Sequence, residues 1–174
     1  LNNIDKANIP ENYSKLVKEY SVEKSENIKN IKFDNEIIHK SKILKYFLVD
    51  DYNIKKVEKD IKSVYKKVRK NKKYFVSIKD IIVLESLQSD GISLPESLNF
   101  DDLSSKVTIP QGLYDLTNQQ QVGLAMLKIV EIIGEDNIED LDPETIYFIN
   151  KILNELRLKK IRNNIISATL PTRV

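Results

Sequence analysis

The residue types that most often carry catalysis are scarce in this sequence. Its 174 residues include no cysteine and a single histidine, His39. A cysteine nucleophile, cysteine-ligated zinc, an iron–sulfur cluster and a disulfide framework are therefore excluded. A hydrolytic triad would have to be built around His39, and no motif places a nucleophile and an orienting acid beside it. We interpret His39 as a solvated histidine on a helix surface.

Motifs that bind phosphate or calcium are also missing. There are four glycines: Gly91, Gly112, Gly123 and Gly134. None falls in a glycine-rich phosphate loop. In the acidic stretch 134–144, Asp140, Asp142 and Glu144 alternate, and hard cations bind clustered oxygens of this kind. However, the stretch lacks the glycine and the glutamate that an EF-hand needs in register. We interpret it as a solvated loop that ends in a helix cap at Asp142, and we predict no metal and no other cofactor.

A lysine-rich segment is the clearest candidate for binding. Over residues 53–70, apolar residues recur at helical spacing and lysines fill the other side. The candidate contacts for an anion or a partner are Lys55, Lys59, Lys62, Lys66, Arg69, Lys70 and Lys73. A nucleic-acid-binding helix would carry such charge, and its affinity would depend strongly on salt. Against this, the segment 55–73 has one arginine, the usual base reader, and lysine is abundant along the whole chain, as an AT-rich genome would produce.

Charge is segregated along the chain although the net charge is only +2. Residues 51–80 carry 11 lysines and arginines against 4 acidic residues, whereas residues 81–144 carry 2 against 13. This asymmetry predicts a polarised surface field. The lysine-rich face then has two further interpretations: it packs against the acidic region 131–144 of the same chain, or it binds an acidic partner.

The hydrophobic pattern predicts an all-α protein. Apolar residues recur at helical spacing from residue 33 onward, and no segment shows the sustained alternation of a half-buried strand. We expect helices over residues 34–48, 53–70, 77–90, 110–116, 122–133, 142–156 and 159–168. The segment 122–133 is apolar almost all round, so we expect it at the centre of the core. No stretch approaches the about 20 apolar residues of a membrane span.

The sequence divides into a polar N-terminal segment or linker, residues 1–32, and a helical-hairpin domain, residues 33–174. Helices of this length with short connections favour stacked antiparallel hairpins, an α-solenoid-like array. Two similar tripeptides, Gly112-Leu113-Tyr114 and Thr145-Ile146-Tyr147, lie 33 residues apart. That offset is close to the tetratricopeptide period of 34 residues.

Several features of residues 74–95 and 111–174 match a family pattern. They are the small residues Gly123 and Ala125 in an apolar helix, the proline-started helix after Leu141-Asp142-Pro143, and a short last helix over 158–168. In these features the chain resembles uncharacterised α-helical repeat proteins of alphaproteobacteria. It departs from them at 161–164, where small residues would allow close helix packing. The resemblance implies a tetratricopeptide-like bacterial scaffold and transfers no catalytic residue.

We therefore expect a non-enzymatic protein–protein interaction or scaffold module with a protein or peptide partner, for which an acidic partner surface is one option. The alternative is nucleic-acid or anionic-surface binding through the lysine-rich helix 53–73. Because the sequence begins at Leu1 rather than methionine, we expect it to be part of a longer or processed chain. The lack of cysteine favours the cytoplasm, although a periplasm also tolerates it.

Overall fold

The computed structural model describes residues 32–49, 51–98, 100 and 109–170. These contain the α-helices α1 (Ile54–Val68), α2 (Ile78–Ser89), α3 (Gln111–Asn118), α4 (Val122–Ile133), α5 (Pro143–Glu155) and α6 (Lys159–Thr169). Three short 3₁₀ helices accompany them: Ile38–Lys40, Lys42–Phe47 and Ile138–Asp140. No strand occurs in these residues, so the predicted all-α class is confirmed. The polar segment predicted over 1–32 lies outside the described residues, except for Lys32, and the division of the chain at residue 33 stays a prediction.

The core is centred on α2 and α5. Ten of their apolar residues are almost completely buried: Ile81, Ile82, Val83, Leu84, Leu87, Ile146, Tyr147, Ile149, Ile152 and Leu153. The contact between these two helices is the most extensive in the described part of the chain, although α3 and α4 separate them in sequence. Burial of apolar surface, the dominant favourable term in folding, is therefore concentrated in a long-range pair.

Local capping signals fix the helix ends where the sequence predicts them. Ser77 and Asp80 form a capping box at the start of α2, in which the Ser77 hydroxyl accepts from the Asp80 N–H and the Asp80 carboxylate accepts from the Ser77 N–H. The side chain of Asp142 caps α5, whose first residue is a proline. Gly91 and Gly134 follow α2 and α4 with φ of 84° and 60°, which glycine adopts without steric cost.

The single helix predicted over 34–48 is wrong. Two 3₁₀ helices stand there, separated by Ser41, whose backbone is extended at φ −79° and ψ 171°. The buried Ser41 hydroxyl donates to the carbonyl of Ile38 at 2.8 Å and accepts from the N–H of Ile43 at 3.3 Å. Serine competes for backbone groups in this way, which explains why an apolar pattern of helical spacing is interrupted here.

The predicted position of α4 at the centre of the core is also wrong. Only Ala125 and Ile129 of this helix are buried, at 0% and 1% exposure. Leu124, Leu127 and Val130, on the opposite side, are 53%, 66% and 59% exposed. An all-round apolar helix is normally internal. In this protein α2 is the internal helix, and α4 lies at the surface.

Consecutive helices pair at two places in the fold. α3 contacts α4, and α5 contacts α6. α1 packs instead on the two 3₁₀ helices that precede it, and α6 also contacts Lys42–Phe47. These contacts agree with helical hairpins in part of the chain, and the regular stacked array stays a prediction.

A buried polar contact ties the end of α2 to α6. The guanidinium of Arg162, a residue that is 1% exposed, binds both carboxylate oxygens of Asp90 at 3.0 and 2.8 Å. It also donates to the Ser86 carbonyl and to the Asn154 side chain. The Tyr52 hydroxyl donates to Asp90 at 2.6 Å. Burial alone would raise the pKa of the Asp90 carboxyl, but these donors hold it below its ordinary value.

Substitution by aspartate should affect the free energy of unfolding very differently on the two sides of α4. Ile129→Asp places an unpaired carboxylate among buried side chains and should lower the free energy of unfolding by more than about 3 kcal/mol. Leu127→Asp puts the carboxylate in solvent and should change stability by less than about 0.5 kcal/mol. Urea unfolding followed by circular dichroism measures both. Equal destabilisation by the two variants would contradict the placement of α4.

Candidate functional site

α1 carries a continuous row of positive charge. Its apolar side is buried through Val57, Ile61, Val64 and Val68, as the amphipathic pattern predicts. The opposite side and the turn that follows carry the exposed residues Lys55, Lys59, Lys62, Lys66, Arg69 and Lys70. We refer to these six residues as the lysine stripe. At 3.6 residues per turn they fall within an arc of roughly 100° and span about 22 Å of helix axis.

An open groove of about 560 Å³ lies along the C-terminal half of this stripe. Its lining residues are Lys62, Tyr65, Lys66, Arg69, Lys70, Pro95 and Ser97. The Tyr65 hydroxyl donates to the carbonyl of Ser97 at 2.7 Å, so the aromatic ring joins helix and loop across the groove. Glu96 is exposed and is not a lining residue. The groove therefore combines four cations with one aromatic ring and no carboxylate among its lining residues.

The structure brings together only some of the candidate residues predicted from the sequence. Lys62, Lys66, Arg69 and Lys70 share the groove. Lys55 and Lys59 extend the stripe toward the start of α1 and do not line the groove. Lys73 is exposed beyond the end of the helix and also lies outside it. Sequence reasoning missed Pro95 and Ser97, which complete the groove. The periodicity of α1 gives no information about the loop that packs beside the helix.

The stripe has no ionic partner in the part of the chain that the structure describes. The ion pairs found there include those of Lys42, Lys45, Lys128, Lys159 and Arg162, and none involves a residue of the stripe. No ion pair joins the lysine-rich face to residues 131–144 among the described residues, and the intramolecular interpretation stays a prediction. The stripe faces solvent and is available to an external anion.

A second surface lies on α4. Leu124, Leu127 and Val130 recur at a spacing of three residues and form what we call the apolar stripe. Soluble proteins expose single apolar side chains routinely, but contiguous apolar patches mark interaction sites. The sequence pattern suggested only burial for these residues, because hydrophobicity alone does not distinguish a core from an interface.

The surroundings of the apolar stripe are acidic. Residues 111–144 contain eight acidic residues and one base, Lys128. Lys128 binds the Glu131 carboxylate at 2.8 Å, so its charge is already compensated. Asp115, Glu135 and Asp136 are exposed on α3 and on the turn after α4. The exposed apolar surface is thus set in a region of net negative charge.

His39 is not the solvated residue that we expected. Its side chain is 14% exposed, and Nδ1 lies 2.7 Å from Asp80 Oδ1. The buried Asp80 carboxylate also accepts from the hydroxyl of Tyr74 and from the N–H groups of His39 and Ser77. Ser77 Oγ lies 3.4 Å from the same Nδ1. A hydrolytic triad places the acid and the nucleophile on different ring nitrogens, so this cluster does not have triad geometry.

The acidic stretch is used for helix capping. Asp142 accepts from the Thr145 N–H at 2.9 Å and from its hydroxyl at 2.6 Å. Asp140 accepts from the side chain of Asn137. Within the described residues, no group of three histidine, aspartate or glutamate side chains is arranged to hold a metal ion.

Comparison of the chain with protein-family models, curated proteins and solved structures finds no match. The resemblance to alphaproteobacterial helical-repeat proteins stays a prediction. Among the described residues, no helix combines the length and the apolar character needed to cross a membrane.

The buried Asp80 cluster predicts a pH-dependent contribution to stability. Burial alone would raise the pKa of the Asp80 carboxyl, but the hydrogen bonds from His39, Ser77 and Tyr74 hold it below its ordinary value. A carboxyl whose pKa is lower in the folded state stabilises above its unfolded pKa, and this stabilisation disappears as pH falls through the folded value. Asp80→Asn should therefore cost about 2 kcal/mol at pH 7 and progressively less below about pH 4.

Urea unfolding at pH 7 and pH 3 measures this difference. Asp136→Asn, at an exposed position, is the matched control and should change stability little at either pH. A cost for Asp80→Asn that is the same at both pH values would show that the charge of Asp80 contributes nothing.

Proposed function

We propose that this protein is a non-enzymatic interaction module that binds an amphipathic helix of a partner protein on the apolar stripe of α4. The observation that carries the proposal is the exposure of Leu124, Leu127 and Val130 on one side of a helix that is anchored by Ala125 and Ile129. Covering the three exposed side chains would contribute about 1 kcal/mol each. A helix laid along α4 is the natural occupant, because helices recognise apolar stripes through residues spaced by three and four.

Charge complementarity favours a partner helix with basic flanks. The exposed acidic residues Asp115, Glu135 and Asp136 lie on α3 and on the turn that ends α4. A partner helix with an apolar stripe and basic flanks would be attracted to this region, whereas one with acidic flanks would be repelled. Such charges contribute more to orientation and association rate than to affinity.

The arrangement of helices supports a scaffold role for the domain. α3/α4 and α5/α6 are two consecutive pairs in contact, and we propose that they are hairpins of a short tetratricopeptide-like array. Repeat arrays of this type use rigid helices to present extended binding surfaces. α4 is the outer member of its pair in this proposal, because α3 makes the more extensive contact with α5.

Two designed 18-residue helical peptides test the proposal. Both carry the same leucine stripe, and one has lysine flanks where the other has glutamate flanks. We expect the lysine-flanked peptide to bind at least tenfold more tightly in calorimetric titration at 0.1 M salt. Leu127→Asp should weaken this binding at least tenfold although it adds a negative charge, because a polar residue then interrupts the apolar contact.

Phe75→Asp is the matched control, since Phe75 is an exposed apolar residue in the segment before α2. It should leave peptide binding unchanged. Equal loss in both variants, or no preference between the two peptides, would refute the proposal. Sedimentation analysis adds a further check: a dimer that Leu127→Asp dissociates would mean that a second copy of the chain, and not a partner helix, occupies α4.

A further inference from the structure

The lysine stripe on α1 has no role in helix binding by α4, and its geometry points to a second ligand. We propose that the groove beside α1 binds an extended single strand of nucleic acid, with the lysine stripe contacting successive phosphates and Tyr65 contacting a base. The inference goes beyond the proposed function and does not depend on it.

The linear arrangement of the cations favours a polymer over a compact anion. From Lys55 to Arg69, consecutive members of the stripe are separated by three or four residues, or about 4.5 to 6 Å along the axis, and Lys70 follows Arg69 directly. A single phosphate group could engage only the cations of one or two turns. An extended chain with a charge on every unit can engage the whole stripe, and neutralising such a chain releases its counterions.

The lining of the groove favours a nucleic acid strand over a flat anionic surface. Tyr65 and Pro95 give the groove apolar walls, and the hydroxyl of Tyr65 is already bound to Ser97. A ring fixed in this way, next to a row of cations, provides the stacking platform and the backbone contacts of single-strand binding. Arg69 is the one arginine of the lining, so the groove offers phosphate contacts and little direct readout of base edges.

Repulsion within the stripe gives binding a measurable effect on the fold. Lys55 and Lys59, Lys62 and Lys66, and Lys66 and Lys70 are like charges at a spacing of four residues, which destabilises a helix. In the described residues no carboxylate pairs with any of them. A bound strand would remove this repulsion, so we expect it to raise the melting temperature of the protein.

The test uses the 174-residue chain and a fluorescein-labelled strand of twenty thymidines, with binding followed by anisotropy between 50 and 200 mM salt. The four stripe cations that line the groove predict a contribution of about −3 to the slope of the logarithm of affinity against the logarithm of salt, since each phosphate contact adds about −0.7. The groove variant Lys62→Gln/Lys66→Gln/Lys70→Gln should lose at least tenfold in affinity at 50 mM salt and most of this slope.

The matched control is Lys56→Gln/Lys67→Gln/Lys72→Gln, which removes the same charge from exposed positions outside the stripe and the groove. It should lose less than threefold. Tyr65→Leu should weaken binding severalfold, and Tyr65→Phe, which keeps the ring, should not. Circular dichroism melts confirm that each variant is folded, and replacing lysine by glutamine at these exposed positions should not lower the melting temperature.

Several results would overturn the proposal. One is equal loss of affinity in the groove variant and in the control. Another is polyglutamate of matched charge binding as tightly as the strand, which would indicate an acidic protein. Binding to phosphatidylserine vesicles without binding to the strand would indicate a membrane surface. Leu127→Asp should leave strand binding unchanged, so failure here and failure of the α4 proposal remain distinguishable.

Discussion

The bidentate contact between Asp90 and Arg162 is the interaction on which the arrangement of the helices most depends. Asp90 is the residue that ends α2, and Arg162 is buried in α6, 72 residues away. Two charges taken out of water recover their desolvation cost only if the geometry is right and their remaining donors are satisfied. This requirement is met, because Ser86 and Asn154 accept further hydrogen bonds from Arg162 and the Tyr52 hydroxyl donates to Asp90. The contact therefore joins the end of α2 to α6 with both buried charges paired.

Outside the core formed by α2 and α5, the helices α1 and α4 have exposed sides of different chemistry. The outward side of α1 is basic, and that of α4 is apolar within an acidic region. A polyanion would therefore be repelled from α4 and a basic helix from α1, so each surface would discriminate against the ligand proposed for the other. Selectivity of this kind arises from repulsion as much as from attraction.

Features that depend on residues a few positions apart are predicted from the sequence. Features that depend on which helices pack together are not. The caps at Ser77 and Asp142, the end of α4 at Gly134 and the amphipathic pattern of α1 depend on residues a few positions apart, and all are confirmed. The choice between α2 and α4 for the core is different. Both segments are rich in apolar residues, and burial is decided by the partner α5, which periodicity does not reveal. The contact of His39 with Asp80 spans 41 residues, and no motif marks it.

The two acidic residues of α1 both contact other segments of the chain. Glu58 accepts from the N–H of Ser93, and Asp60 binds Lys42, Lys45 and Tyr46. Both carboxylates are engaged in contacts that hold α1 to its neighbours, although Glu58 lies three residues after Lys55 and four residues before Lys62. In the described residues none of the six stripe cations forms an ion pair, and an external polyanion would offset the repulsion among them.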